Sequence, residues 1–232
     1  MPTLILRVAL AWLVGVPASA ATPSPQDPNK LIKGGVCHGL NVDACFLLGW
    51  DAFDHRELGG AAKVREALNA FDAACQQGHG ASCLWLGVRV ATGYGGDRPT
   101  SDAVTAYDRA CQAGNPIGCL NLGIAQEAAK AAPEVALHAY QRACDGGELQ
   151  GCGLVGQLML GQGRDVTRAV DLLKRACEGA EIDACRSLAH LYHAGGPGVS
   201  ADEVAATRFQ RRACLAGDTS SCDTHEMTAT DE

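Results

Sequence analysis

Between Ala81 and Ala91, Leu84, Leu86, Gly87 and Val90 form an apolar and small-residue stripe at helical spacing. The stripe ends at a breaker, Thr92-Gly93-Tyr94-Gly95-Gly96-Asp97-Arg98-Pro99. A second stripe follows, with Val104, Tyr107 and Ala110 on one face. It predicts a helix that starts at Ser101, read as the N-cap, and stops near Gly114, where Gly takes the left-handed conformation just past a helix end. Asn115-Pro116 opens the next helix. Asp165 and Ser200 are comparable starts, and Gly78, Gly147 and Gly217 comparable stops. The pattern is helix, breaker, helix, repeated.

The repeat length is carried by cysteine. Twelve cysteines stand in six pairs of one spacing: Cys37/Cys45, Cys75/Cys83, Cys111/Cys119, Cys144/Cys152, Cys177/Cys185 and Cys214/Cys222. Steps between the first cysteines are 38, 36, 33, 33 and 37 residues, periods used by α-solenoids. Ala precedes the first Cys in five pairs (Ala74, Ala110, Ala143, Ala176, Ala213). Three residues after the second Cys comes an apolar residue (Leu48, Leu86, Leu122, Val155, Leu188), and at +4 a small one (Gly49, Gly87, Gly123, Gly156, Ala189). Gly is a poor helix former, so its recurrence there predicts a neighbouring helix crossing closely. In this register the first Cys falls in the last turn of one helix and the second in the first turn of the next. A continuous helix would hold them ~12 Å apart. A Gly-containing turn folds the two ends back, within the roughly 4.4–6.8 Å between Cα atoms that a disulfide needs.

Composition changes the picture in one respect, the compartment. Residues 1–20 carry Arg7, a nine-residue apolar stretch Val8–Val16 and Ala18-Ser19-Ala20, the pattern of a cleaved signal peptide. Export and an even cysteine count together imply a disulfide framework. No other apolar run approaches the ~20 residues of a membrane span. Removal of residues 1–20 leaves 18 basic against 26 acidic residues with no basic stripe, which excludes nucleic acid as a natural partner. The expected organisation is a signal peptide over 1–20, a disordered Pro-rich linker over 21–34, a solenoid over 35–227 and a disordered tail over 228–232, the last helix at Asp223 being short and polar.

The motif Ala110-Cys111-x(2)-Gly114-x(4)-Cys119-x(2)-Leu122-Gly123 resembles the Sel-one-like repeat (SLR), and its cysteine-rich branch, the Helicobacter cysteine-rich proteins, most of all. The resemblance covers residues 37–222. It implies an all-α, right-handed solenoid of tetratricopeptide-like helix pairs with one disulfide per repeat. It also implies two functions: an adaptor for protein complexes, or a protein that binds and weakly hydrolyses β-lactams. The chain departs from the pattern at the first pair, which lacks a clear preceding helix, and at Pro133, which opens a short loop.

Catalytic chemistry is hard to find in the residues. There is no Ser-x-x-Lys, Ser-Asp-Asn or Lys-Thr-Gly, and none of Lys30, Lys33, Lys63, Lys130 and Lys174 stands three after a Ser. No CxxC occurs for zinc or haem. His190 and His193 share a helical face, but read as partly exposed residues rather than metal ligands. Bridged cysteines leave no thiolate for a nucleophile, and a redox role would need labile bridges. The sequence leans against an enzyme and calls for no cofactor or metal; were it an enzyme, a β-lactamase-type hydrolase would be the class. It favours a monomeric exported scaffold that binds a protein or peptide on the concave face of the solenoid, with a β-lactam or cell-wall-derived small molecule as the alternative ligand. Positions +2, +6 and +9 from the second Cys should face that groove, which gives Trp85, Arg89, Asn121 and Ser187 as candidate contacts. Phe71, Tyr107 and Tyr140, four before a first Cys, are read as packing residues.

Overall fold

The computed structural model describes residues 32–33, 36–37, 42–54, 56–95 and 98–222. The signal peptide expected over 1–20, the tail over 228–232 and the polar helix at Asp223 lie outside the described residues. A two-residue hairpin, β1 (Ile32–Lys33) and β2 (Val36–Cys37), precedes the helices. Its first strand falls inside the stretch expected to be a linker, and its second ends on Cys37, where later repeats have a helix. Among the described residues ten helices follow: α1 (Val42–Asp54), α2 (Arg56–Gln76), α3 (Gly80–Ala91), α4 (Thr100–Gln112), α5 (Pro116–Ala128), α6 (Pro133–Asp145), α7 (Leu149–Gly161), α8 (Val166–Glu178), α9 (Ile182–Ala194) and α10 (Glu203–Leu215). They pack in sequence as five antiparallel pairs, each on the next, an α/α solenoid.

Each pair is held by a protrusion fitted to a gap. Phe71, Tyr107, Tyr140 and Leu173 project from the second helix and are buried. Opposite them stand Gly49, Gly87, Gly123 and Gly156, and a methyl group at Gly87 would lie 2.6 Å from the Tyr107 ring. The small +4 residue is therefore a packing requirement, and burial of each partner stabilises the pair by roughly 1.5–3 kcal/mol. The last pair departs from the register: Gln210 holds the position four before Cys214, while Phe209, one residue earlier, is buried and stacks on Tyr192 at 5.6 Å.

The turn between pairs explains the rest of the signature. The amide of the residue three after each first Cys donates to the carbonyl of that Cys, as Gly114 does to Cys111 at 3.0 Å. The next amide donates to the preceding Ala, as Asn115 does to Ala110 at 3.0 Å. This is a Schellman end, and its last residue doubles as N-cap of the following helix; the Asn115 side chain accepts from Gly118 N at 2.8 Å. Gly78, Gly114, Gly147 and Gly217 take the positive φ this end requires, and Ala180 takes it at φ 67°. The alanines before the first cysteines are fully buried against small residues one before the second, Ala110 against Gly118 and Ala143 against Gly151. With the helix ends so close, Cys75–Cys83, Cys111–Cys119, Cys144–Cys152, Cys177–Cys185 and Cys214–Cys222 are bridged across 4.4–4.9 Å between Cα atoms. Cys45 is also in a disulfide.

Two predicted starts are corrected. Helix α4 begins at Thr100 behind Pro99, whose φ of −69° suits a helix entry, and Ser101 lies inside the first turn. Helix α10 is capped by Asp202, which accepts from Ala205 N at 3.0 Å, because the chain from Gly196 to Val199 first closes a tight bridge that leaves Ser200 short of the helix. The final pair ends in a 3₁₀ turn, Thr219–Ser221, before Cys222. Among the described residues no helix is long and apolar enough to cross a membrane.

Candidate binding groove

The first helix of each pair (α1, α3, α5, α7, α9) turns its core stripe toward its partner, which leaves a face of residues at −2, +2, +5 and +9 from the second Cys. Along the seam between consecutive first helices, position +5 of one meets position +2 of the next. Trp50 and Trp85 meet this way, edge to face with ring centroids 4.6 Å apart. Gln157 and Ser187 do so by a 2.9 Å hydrogen bond from Nε2 to Oγ.

The structure brings two of the four candidate residues together. The Arg89 guanidinium lies 5.2 Å from the Trp85 ring centroid, one turn along α3. Trp85 is half-buried and joins Trp50, Phe46 and Phe71 in an aromatic cluster. It is thus both a seam residue and the base on which Arg89 rests, a cation–π contact worth about 0.5–2 kcal/mol. His79 extends the cluster, its ring 4.9 Å from Phe46 while Nδ1 accepts from Ser82 N and caps α3. Asn121, one repeat on, is held within its own helix. Its Nδ2 donates to Ile117 O in its own helix at 3.0 Å, which takes one amide hydrogen away from any partner. Ser187 stands two repeats further on and is engaged with Gln157 and with Asp183 O at 2.8 Å.

Sequence reasoning missed the +5 and −2 positions. On α5 these are Ile124 and Ile117, 42% and 47% exposed, flanking Asn121. The signal was present: residues three and four apart share a helical face, so +2 groups with +5 and −2 as well as with +6. The middle of the face is therefore apolar, with Val88 and Leu154 half-buried beside the two isoleucines.

Toward the C-terminal end the face becomes polar. A cleft of ≈ 620 Å³ between α7 and α9 is lined by Gln157, Leu160, Arg186, Ser187 and His190. Arg186 and His190 also border a second cleft, of ≈ 350 Å³, toward Ser220 and Ser221. There the Ser220 hydroxyl, with that of Ser221 and Arg186 3.7 Å away, holds the Asp218 carboxyl below the usual carboxylate range. His193, paired with His190 in the sequence, instead meets Glu203 at 2.9 Å from Nδ1 to Oε2. No cluster of three His, Cys, Asp or Glu side chains suited to a metal occurs among the described residues.

No protein-family model and no curated protein matches the sequence. Solved structures do match the fold. A protective antigen of uropathogenic Escherichia coli that displays an SLR fold superposes with a TM-score of 0.68 at 20% identity over 78% of this chain, and this chain spans 40% of its length. A Sel1 repeat protein from Oxalobacter formigenes superposes with a TM-score of 0.62 at 20% identity, over 78% of this chain and 75% of its own. The fold is the disulfide-bridged form of the SLR solenoid.

Proposed function

We propose that the protein is an exported scaffold that binds an extended segment of another protein along the concave face formed by its first helices. The cysteine-rich branch of the repeat class is the finer assignment that the six Cys pairs favour. The carrying observation is the character of the face on α1, α3 and α5: an aromatic pair bearing Arg89, then Ile117 and Ile124 exposed on either side of Asn121. Solenoids of helix pairs use such extended surfaces for recognition, since neighbouring repeats supply contacts in register with a bound chain. The bridged cysteines accord with an oxidising compartment outside the cytoplasm. The β-lactam alternative gains nothing from the groove, where the Ser187 hydroxyl is held by its own helix and by Gln157.

The reading is tested by affinity capture from periplasmic and culture fractions, followed by titration of the captured protein against variants. Trp85→Ala and Ile124→Asp should each weaken binding at least about tenfold, the loss of roughly 1.4 kcal/mol or more expected when an interface anchor is removed. Val204→Asp, on the second helix of the last pair, should leave it unchanged. Equal binding by all four proteins would refute the assignment.

A further inference from the structure

A further cleft lies on the side of the second helices and shares no residue with the groove. The N-terminal halves of α6 and α8 part above the C-terminal half of α7, leaving ≈ 610 Å³, within the range of small-molecule sites. Its floor is apolar, made of the half-buried Leu137 and Met159 over the fully buried Val155. Two guanidiniums border it, Arg164 and Arg168, with His138 beside them. The two guanidiniums are weakly engaged. Arg164 Nη1 reaches Gln162 Oε1 and Arg168 Nη2 reaches Gln141 Oε1, each at 3.4 Å. Among the described residues neither has a carboxylate within 4.0 Å. Two acids also line the cleft, but both have local roles. Asp165 caps α8 by accepting from Arg168 N at 3.2 Å, and Glu134 sits in the first turn of α6, where the helix dipole favours it.

The corresponding cleft one repeat on has different chemistry. There Tyr192 replaces Met159, and the lining carries Asp171 and one cation, Lys174, held 6.0 Å over the Tyr192 ring, while Asp202 caps α10 as Asp165 caps α8. The eight-residue connection 195–202 is tied across that position by Asp202 N to Tyr192 O at 2.7 Å, whereas the α7–α8 connection has only residues 162–165. An apolar floor under two arginines without carboxylate partners thus distinguishes the α6–α7–α8 cleft from the one that follows it.

We propose that this cleft is a binding site for a small apolar carboxylate, its hydrocarbon against Leu137 and Met159 and its head group between Arg164 and Arg168. The planar guanidinium matches a carboxylate with paired, charge-assisted hydrogen bonds, and the floor rewards an apolar body in proportion to the area it covers. Isothermal titration calorimetry of the oxidised protein with octanoate tests the proposal, with octyltrimethylammonium as the same chain bearing a cation. One saturable octanoate site is expected and no saturable heat with the cation. Arg164→Gln/Arg168→Gln should weaken octanoate at least about tenfold, the order expected for losing charge-assisted hydrogen bonds. Met159→Trp, which fills the floor, should abolish binding. Because Met159 is packed, the decision rests on the exposed arginine pair, with circular dichroism checking unchanged helix content. Absence of a saturable octanoate site, equal binding of the cation, or undiminished affinity in the arginine variant would each overturn the proposal.

Discussion

A single methyl group sets the fourth turn apart from its relatives. Ala180 holds φ at 67° where Gly78, Gly114, Gly147 and Gly217 serve the other turns. An L-residue in that conformation costs roughly 1–2 kcal/mol, partly offset because Gly loses more freedom on folding. Ala180→Gly should therefore raise the unfolding free energy by about 1 kcal/mol, read as a higher urea midpoint with the bridges intact; an unchanged midpoint would contradict the turn assignment. Tyr140 makes a second residue-scale prediction. Burial, then the 2.7 Å hydrogen bond to Glu127 and its charge, push the phenol well above its usual 10. With the folded-state value raised, the stabilisation is complete below pH 10, where the phenol is neutral in both states. It is lost as pH climbs above 10, because the unfolded chain ionises first. Tyr140→Phe should flatten that alkaline loss in urea melts at stepped pH, and an identical slope in both proteins would argue against it. Tyr107, also raised by burial, contributes a loss of the same sign that remains in that variant.

At the scale of the element, the protrusion and its gap decide how the two helices of a pair meet. Gly123→Ala would drive a methyl into the Tyr140 ring. Overpacking of this kind costs about 1–3 kcal/mol, whereas the same substitution at Gly161, which has open space around it, should cost nothing measurable by chemical denaturation. Equal midpoints for the two variants would mean the +4 glycine is not a packing position. Much of this was legible. The recurring +4 glycine announced a close crossing, and Phe71, Tyr107 and Tyr140 announced what crosses. Helix starts were less legible, because Ser101 and Ser200 have the right side chain for a cap and the wrong place in the chain. Pro99 fixes entry into α4, and the Gly196–Val199 bridge delays entry into α10. The groove was half legible. Trp85 and Arg89 are neighbours, as their one-turn spacing implies. Asn121 is drawn onto Ile117 O, and the partnership of +5 with +2 across the seam depends on how two helices sit side by side, which one repeat's periodicity does not contain.

Across the whole molecule, one local unit is copied five times and varied on its surface. Cores of the first four pairs and the Schellman geometry of the turns agree from repeat to repeat. The first-helix face passes instead from aromatic at Trp50 and Trp85, through aliphatic at Ile117 and Ile124, to polar at Gln157, Ser187 and His190. A quasi-one-dimensional fold allows this, because each repeat's stability depends mainly on its own pair and its neighbours. The function proposed for the chain is read from that graded face, since the bridged cysteines are structural. The most direct measurement is a photo-crosslinking scan, with benzoylphenylalanine placed singly at Ile117 and Ile124 on α5 and at Val204 and Leu215 on α10, all exposed positions. Binding along the first helices predicts covalent capture of the partner from the two α5 positions and none from α10. Capture from the α10 positions alone, or equally from all four, would contradict it.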